Sequence, residues 1–427
     1  MKFTKESLIT GFALFSMFFG AGNLILPPSL GFKAGDAWFL VTIGFMISAV
    51  ILPLLGIFAH ARLQGTLMDF GKKVSPVFSL IYCVLIYLIS VALPSPRTAS
   101  VTHEIAVTPF FGSSPILTST IYFVLVLIFV LNRSKILDVL GKFLTPIIFI
   151  VILSIICVGI FIPHPAMNAS TISEPLVQGL LEGYQTFDAI AAVVVGGVLI
   201  ISLDLKGAQE FQNKRMLIRN AGVIAGIGLF ITYAGLIFNG ALFNTTFPED
   251  ISRTQLLSGL SYETLGNIGS IFLSVLVSLA CFTTAVGIVT GTSDFFKGIF
   301  NNSSAVYVGT AVISCALGVV MGQFDVSYII DVAVPALLFI YPITIVLILL
   351  NILPEHWGTP IMFRAVVLVT MLFSIPDFLA SIGFKEEVQP ILKIIPFGNN
   401  TLGWVLPVFI TFVSLILLSN VWRPAKN

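Results

Sequence analysis

Charge is what this sequence has least of. Of its 427 residues only 21 are Lys or Arg and 20 are Asp or Glu, for a formal net charge of +1. That balance offers no basic footprint for nucleic acid and no pull on acidic partners. Cysteine is scarcer still, with four residues. Cys83, Cys157, Cys281 and Cys315 all lie inside apolar stretches, so neither a disulfide framework nor metal-type cysteine spacing is expected. None of His60, His103, His164 and His356 falls in the middle of such a stretch, which leaves a histidine proton relay without support. Enzyme constellations are missing as well: the carboxylates are scattered, no nucleophile elbow occurs, and no glycine loop is built to cradle phosphate. The expectation is a protein that is not an enzyme and carries no cofactor.

What the chain has instead is apolar length. It is 57% hydrophobic with a mean hydropathy of +1.05, more than a soluble core can use. Apolar spans fall near 7–30, 37–59, 76–101, 115–131, 143–162, 184–203, 217–243, 266–292, 305–321, 328–350, 361–383 and 402–421, each near the roughly 20 residues that cross a bilayer. Barrel strands would be about ten residues long and alternate in polarity, so the fold class is an all-α membrane protein of about twelve helices. The opening MKFTKESL is followed by no small-residue cleavage site, and it reads as the start of a retained first helix. Residues 1–427 are expected to form a single integral membrane domain.

Lys and Arg set the orientation. With the N-terminus inside, sixteen of these residues, among them Arg62, Lys72, Lys73, Lys214 and Arg215, fall in inner segments, against Lys33, Arg253, Lys385 and Lys393 outside. Both termini are therefore expected in the cytoplasm of a multi-pass protein. Spans 1–5 (7–162) and 6–10 (184–350) then form halves of odd helix number and opposite orientation, with 361–421 adding two more helices. Inverted halves of this kind are a common transporter plan, with the site between their first helices.

Both first helices are interrupted. Span 1 carries Gly20-Ala21-Gly22-Asn23 at its centre and is closed by Pro27-Pro28. Glycine costs about 1 kcal/mol relative to alanine inside a helix, so the placement needs a reason. One is a discontinuous helix whose free amides at Gly20–Asn23 hold a carboxylate while the carbonyls of the preceding half face a cation or an ammonium. The other is close packing, which glycines also permit. Span 6 opens on Gly183-Tyr184-Gln185-Thr186-Phe187-Asp188 and carries Gly196-Gly197 further in.

Span 8 places Thr283 and Thr284 one turn beyond Ala280. Neutral oxygens of this type suit a small hard cation, although a membrane threonine also bonds its own helix at the carbonyl four residues back. Ionisable groups inside spans are costly and usually functional. Arg97, Glu104, Asp188 and Asp331 are the ones to weigh, and an Arg97–Asp331 pair is a candidate gate. Local pairing at the membrane interface is the alternative, and for Glu104 it is the expected one.

FFGAGNLILPPSLG at 18–31, LPSPRTASVTHE at 93–104, EGYQTFDAIAA at 182–192 and VPALLFIYP at 334–342 resemble the branched-chain amino acid–cation symporter family of bacteria, in order and over nearly the whole chain. The resemblance implies uptake of leucine, isoleucine and valine across the inner membrane, coupled to sodium or to protons. It also implies the amino acid–polyamine–cation superfamily fold, with a five-plus-five inverted repeat and broken helices 1 and 6. By motif match, the carbonyls of Ser16, Phe19 and Ala280 and the hydroxyls of Thr283 and Thr284 would bind the cation. Amides at Gly20, Ala21, Gly22 and Asn23 would hold the substrate carboxylate, and carbonyls near Thr186 and Phe187 its ammonium. Phe19, Phe187 and Ile190 would line an apolar pocket, while Asp188 would shape the break or meet the amine. Rival expectations are a proton-coupled symporter or exchanger for other apolar amino acids and, from another class, an ion channel or a non-transporting sensor. No repeated filter sequence or signalling domain favours the last two.

Overall fold

A computed structural model describes residues 4–132, 136–205, 211–354 and 356–421. Helices follow one another in the order α1 (Lys5–Phe18), α2 (Ala21–Ala34), α3 (Trp38–Met46), α4 (Leu52–Leu63), α5 (Leu67–Gly71), α6 (Pro76–Ala92), α7 (Pro94–Thr102), α8 (Thr108–Phe111), α9 (Pro115–Asn132) and α10 (Ile136–Phe161). They continue as α11 (Pro175–Tyr184), α12 (Asp188–Leu205), α13 (Phe211–Leu242), α14 (Arg253–Ile299), α15 (Ser304–Met321), α16 (Val326–Ile352), α17 (Pro360–Ser381), α18 (Lys385–Ile394) and α19 (Val405–Val421). Wider π-turns at Ile47–Ile51 and His103–Val107 join α3 to α4 and α7 to α8. No strand occurs among the described residues.

The protein is thus an all-helical membrane protein. Helix covers each of the twelve expected spans, but eight helices among the described residues are long and apolar enough to cross a membrane by themselves. Spans 1 and 6 are interrupted, and the apolar helices over 146–161 and 405–418 are shorter. Of the cationic residues used to orient the chain, Lys2, Arg133, Lys135, Lys206, Arg423 and Lys426 lie outside the described residues.

Two local expectations need correction. Pro27 and Pro28 do not close the first span; both lie inside α2, which runs on to Ala34. Membrane helices tolerate such prolines because neighbouring groups satisfy the freed carbonyls. The sixth span begins earlier than residue 184, since an amphipathic half-helix, α11, precedes its break. The eighth begins where expected: α14 is divided by a turn at Gly266 (φ 67, ψ −166), and a separate helical stretch from Arg253 precedes the span. Glycine at 266 is required there, because side chains rarely adopt that backbone region.

The chain divides into two compact units. The first comprises Met1–Ile51, Tyr87–Asp188 and Asn220–Asp331. Here α7, α9, α14 and α15 bury Ala99, Phe123, Val126, Ala285, Val289 and Ala311 against one another. α2 meets α13 through glycines facing backbone: a Cβ on Gly31 would overlap the Ile237 carbonyl, and one on Gly240 would overlap that of Pro28. Small residues let membrane helices approach this closely, where van der Waals packing rather than water exclusion holds them together.

The second unit comprises Leu52–Ile86, Ala189–Arg219 and Val332–Asn427. His60 is buried in it, with Nε2 2.7 Å from the Val193 carbonyl and Nδ1 3.0 Å from that of Gly65. A Cβ on Gly196 would strike the His60 imidazole, so this glycine serves close packing in a continuous α12 and does not interrupt the helix. The phenol of Tyr341, in the VPALLFIYP segment, accepts from the Ala189 amide at 3.2 Å in the first turn of α12.

Candidate substrate and ion site

α1 ends because Phe19 turns extended (φ −79, ψ 92) while its amide still reaches the Phe15 carbonyl at 3.0 Å. Gly20 follows at φ −117, ψ −173, and a new helix starts at Ala21. The break in span 1 is therefore real and two residues long. Asn23 stabilises its far side: the Gly20 amide donates to Asn23 Oδ1 at 3.4 Å, and the Asn23 amide donates to the Gly20 carbonyl at 3.2 Å. The first amides of α2 have no acceptor within their own helix and present the positive end of its dipole to the gap.

Span 6 breaks over Gln185–Phe187. Amides of Gln185, Thr186 and Phe187 fold back onto the carbonyls of Glu182, Gly183 and Tyr184 at 3.0, 3.3 and 3.1 Å. Phe187 then adopts a left-handed conformation (φ 63), unusual for a bulky residue and costing about 1–3 kcal/mol. The Thr186 hydroxyl accepts from the Asp188 amide at 3.2 Å and donates to the Gly183 carbonyl at 2.8 Å, bridging the gap.

Asn23 and Asp188 join the two interruptions. Asn23 Nδ2 donates to both Asp188 oxygens at 2.9 Å and also contacts the Tyr233 hydroxyl, which donates to Asp188 Oδ2 at 2.8 Å. All three side chains are buried. A buried carboxylate is costly unless it is hydrogen-bonded, and this one receives donors from α2 and α13 while sitting at the favourable N-terminus of α12. Tyr233 was not legible as part of the site, because one tyrosine in a long apolar span carries no local signal.

Arg97 lies at the same place. α7 starts afresh at Pro94-Ser95-Pro96, and the buried guanidinium donates from Nη1 to the Gln185 carbonyl at 2.8 Å. It lies over the Phe187 ring, 5.4 Å from the centroid. A Cβ on Gly22 would collide with Nη2, so glycine at 22 makes room for the arginine.

On α14 the hydroxyls of Thr283 and Thr284 both donate to the Ala280 carbonyl at 2.9 Å. That is the helix's own bonding, yet each hydroxyl keeps acceptor capacity. A Cβ on Gly20 would stand 3.6–3.7 Å from the Thr284 side chain, so the helix-1 break and this threonine are neighbours. Phe19 is buried and stacked on Phe15 with centroids 5.0 Å apart; Ser16 is half-buried on α1. Ile190 is buried on α12 within the second unit. Among the described residues no three His, Cys, Asp or Glu side chains come together as a metal site.

Comparison with known sequences fixes the family. The sequence model described as branched-chain amino acid transport protein matches residues 3–421. The chain is 33% identical over 424 residues to the branched-chain amino acid transport system 2 carrier protein of Pseudomonas aeruginosa, across 97% of this chain and 96% of that protein. It is 35% identical over 435 residues to the branched-chain amino acid permease BraB of Bacillus subtilis, across 99% and 97%. The chain belongs to the branched-chain amino acid transport protein family. Its fold is that of Mhp1 in the inward-facing conformation (TM-score 0.61, 9% identity, 97% of this chain and 91% of that one). A Na+-coupled sialic acid symporter in a substrate-bound outward-open state is also similar (TM-score 0.58, 14% identity, 98% and 91%).

In this family member the candidate Arg97–Asp331 ion pair is not formed. Arg97 is engaged at Gln185, whereas Asp331 is exposed and lines a cavity with Ser29, Lys33, Asp250 and Arg253. An ion pair instead joins Arg253, on α14, to Glu182, on α11. Both residues also line an adjoining cavity of about 290 Å³ with Ser29, Lys33 and Gln178. Glu104 is a local structural charge, as expected: it accepts from the Thr254 hydroxyl and, at 2.8 Å, from the Val326 amide that opens α16. Sequence reasoning missed the Glu182–Arg253 pair because Arg253 stood in a presumed loop.

Proposed function

We propose that this chain is a secondary active carrier that takes leucine, isoleucine and valine into the cell by symport with sodium. One observation carries the reading. In a member of this transport family, the breaks of helices 1 and 6 lie together and are tied through Asn23 and Asp188. Interrupted helices expose amides at one end and carbonyls at the other, which complements an amino acid zwitterion. The carboxylate would sit on the amides at Gly20, Ala21 and Gly22, and the ammonium on carbonyls at Gln185–Phe187. Asn23 and Asp188 would support the breaks, since their polar atoms already serve each other. Phe19 and Phe187 supply apolar surface, and one methylene there discriminates by only about 1–3 kcal/mol, so broad branched-chain selectivity is expected.

Sodium would bind between the carbonyls of Ser16, Phe19 and Ala280 and the hydroxyls of Thr283 and Thr284. Hard neutral oxygens suit it, and a fold relative is named as Na+-coupled. The cation would favour the state open to the outside, and substrate would complete the site before the two inverted halves, 7–162 and 184–350, rock about it. Both termini would lie in the cytoplasm and the carrier in the inner membrane. Proton coupling is the second reading, favoured by one feature: the buried Asp188 carboxylate joins both breaks and is the group there able to carry a proton.

Radiolabelled leucine uptake into proteoliposomes separates these readings. Accumulation driven by an inward sodium gradient, and not by potassium or a pH gradient, is the expected result. Accumulation driven by pH alone would overturn sodium coupling and leave the proton reading. No accumulation by folded protein would overturn the proposed substrate.

A further inference from the structure

Arg97 already occupies the carbonyl that a substrate ammonium needs. Its Nη1 holds Gln185 O at 2.8 Å, at the carbonyl end of α11, where a cation is favoured. The same guanidinium presses on Gly22 in the first turn of α2, where an anion is favoured. It is 3% exposed, and its Nε is buried with no acceptor. A guanidinium has five donors, and a buried one left short of acceptors is costly. Its charged surroundings are Asp188, Glu182 and Arg253, and Asp188 is already satisfied by Asn23 and Tyr233. The arginine thus keeps a spare donor beside the amides that open α2, where an anion is favoured.

We propose that Arg97 is a substrate-binding residue that stands in for the substrate's ammonium until a zwitterion arrives. The incoming carboxylate pairs with the guanidinium beside the α2 amides and draws it off Gln185. The freed carbonyl accepts the ammonium in its place. Both charges of the ligand are needed for the exchange: an amine alone would have to expel Arg97 with nothing to receive it. The device selects α-amino acids over amines of the same side chain, and it depends on Gly22, whose missing side chain gives the guanidinium its seat. This inference rests on the amino acid carrier reading above.

The test is equilibrium binding to the purified full-length protein in sodium, with leucine and with 3-methylbutylamine, which is leucine without its carboxylate. Wild type is expected to bind leucine at least about tenfold more tightly than the amine, the scale of a charged hydrogen bond. In Arg97→Gln leucine is expected to weaken by about tenfold or more while the amine tightens, because the Gln185 carbonyl is released and a positive charge is missing. Gly22→Ala, which displaces the guanidinium without removing it, is expected to shift the ratio the same way and serves if Arg97→Gln does not fold. Unchanged leucine binding, or an equal loss for both ligands in the variants, would overturn the assignment while leaving the carrier reading intact. Wild type that binds no leucine at all would overturn the carrier reading itself, and this inference with it.

Discussion

The side-chain amide of Asn23 donates to both carboxylate oxygens of Asp188 at 2.9 Å, linking the first turn of α2 to the first residue of α12 across 165 positions of sequence. Each residue stands just beyond a break in its helix. The pair therefore fixes the distance between the two interruptions.

Disturbing that pair is expected to cost both stability and transport. Asp188→Asn sets one amide against another, whereas exchanging the residues in Asn23→Asp/Asp188→Asn restores a donor opposite a carboxylate. Tyr233→Phe removes one donor and is expected to cost about 1.5–3 kcal/mol, the range for a hydrogen bond to a charged group. Thermal unfolding in detergent and leucine uptake check this. The double variant should recover part of what Asp188→Asn loses, and additive losses would mean that the pair is not coupled.

Thr283→Ala and Thr284→Ala are expected to raise the sodium concentration for half-maximal uptake by about tenfold or more, with little change in stability. Each hydroxyl bonds its own helix at Ala280, and that carbonyl stays helically bonded without it. Serine at either position keeps the oxygen and should keep the sodium dependence. Sodium titration of uptake is the measurement, and an unchanged midpoint removes the residue from the ion site.

The Glu182–Arg253 pair is partly buried, with side chains 11% and 19% exposed. Its loss should fall between the roughly 0–1 kcal/mol of surface pairs and the roughly 3–5 kcal/mol of breaking a buried one. Glu182→Gln and Arg253→Gln should each speed thiol modification of a cysteine placed at Ser29, which lines both adjoining cavities. The exchange Glu182→Arg/Arg253→Glu should slow it again. Equal modification rates in all forms would show that the pair does not restrict access.

Gly31→Ala and Gly240→Ala each drive a methyl group into a facing backbone carbonyl, so α2 and α13 must separate. Overpacking of this kind typically costs about 1–3 kcal/mol, occasionally more. A fall in melting temperature with unchanged ranking of leucine, isoleucine and valine is the expected result of an assay of both. A changed substrate ranking would give these glycines a role in the site.

Much of the fold was legible in the sequence because lipid imposes one demand on every span, and apolar length meets it. The break in span 1 was legible too, since two glycines and an amide are out of place at the centre of a helix. It falls at Phe19–Gly20, however, and Ala21, Gly22 and Asn23 already belong to α2. The break at Gln185–Phe187 was seen, but the half-helix before it was not: PLVQGLLEGY carries Gln, Glu and two glycines, and hydropathy passes over it. Pro27-Pro28 misled for the opposite reason, as proline signals an end in water and is tolerated within a membrane helix. Partners such as Tyr233 for Asp188 and Gly22 for Arg97 follow from how distant helices pack, which no local pattern encodes. Arg97 was legible as a costly buried charge, but its partner was not; Asp331 was one candidate, and the Gln185 carbonyl is the finding.

The most direct test of sodium-coupled carriage is radiolabelled sodium entry into proteoliposomes with and without outside leucine, at zero membrane potential and equal pH. The account predicts that leucine, isoleucine and valine each stimulate sodium entry, that 3-methylbutylamine does not, and that Thr283→Ala/Thr284→Ala abolishes the stimulation. Leucine entering at its full rate with no leucine-dependent sodium flux would contradict it.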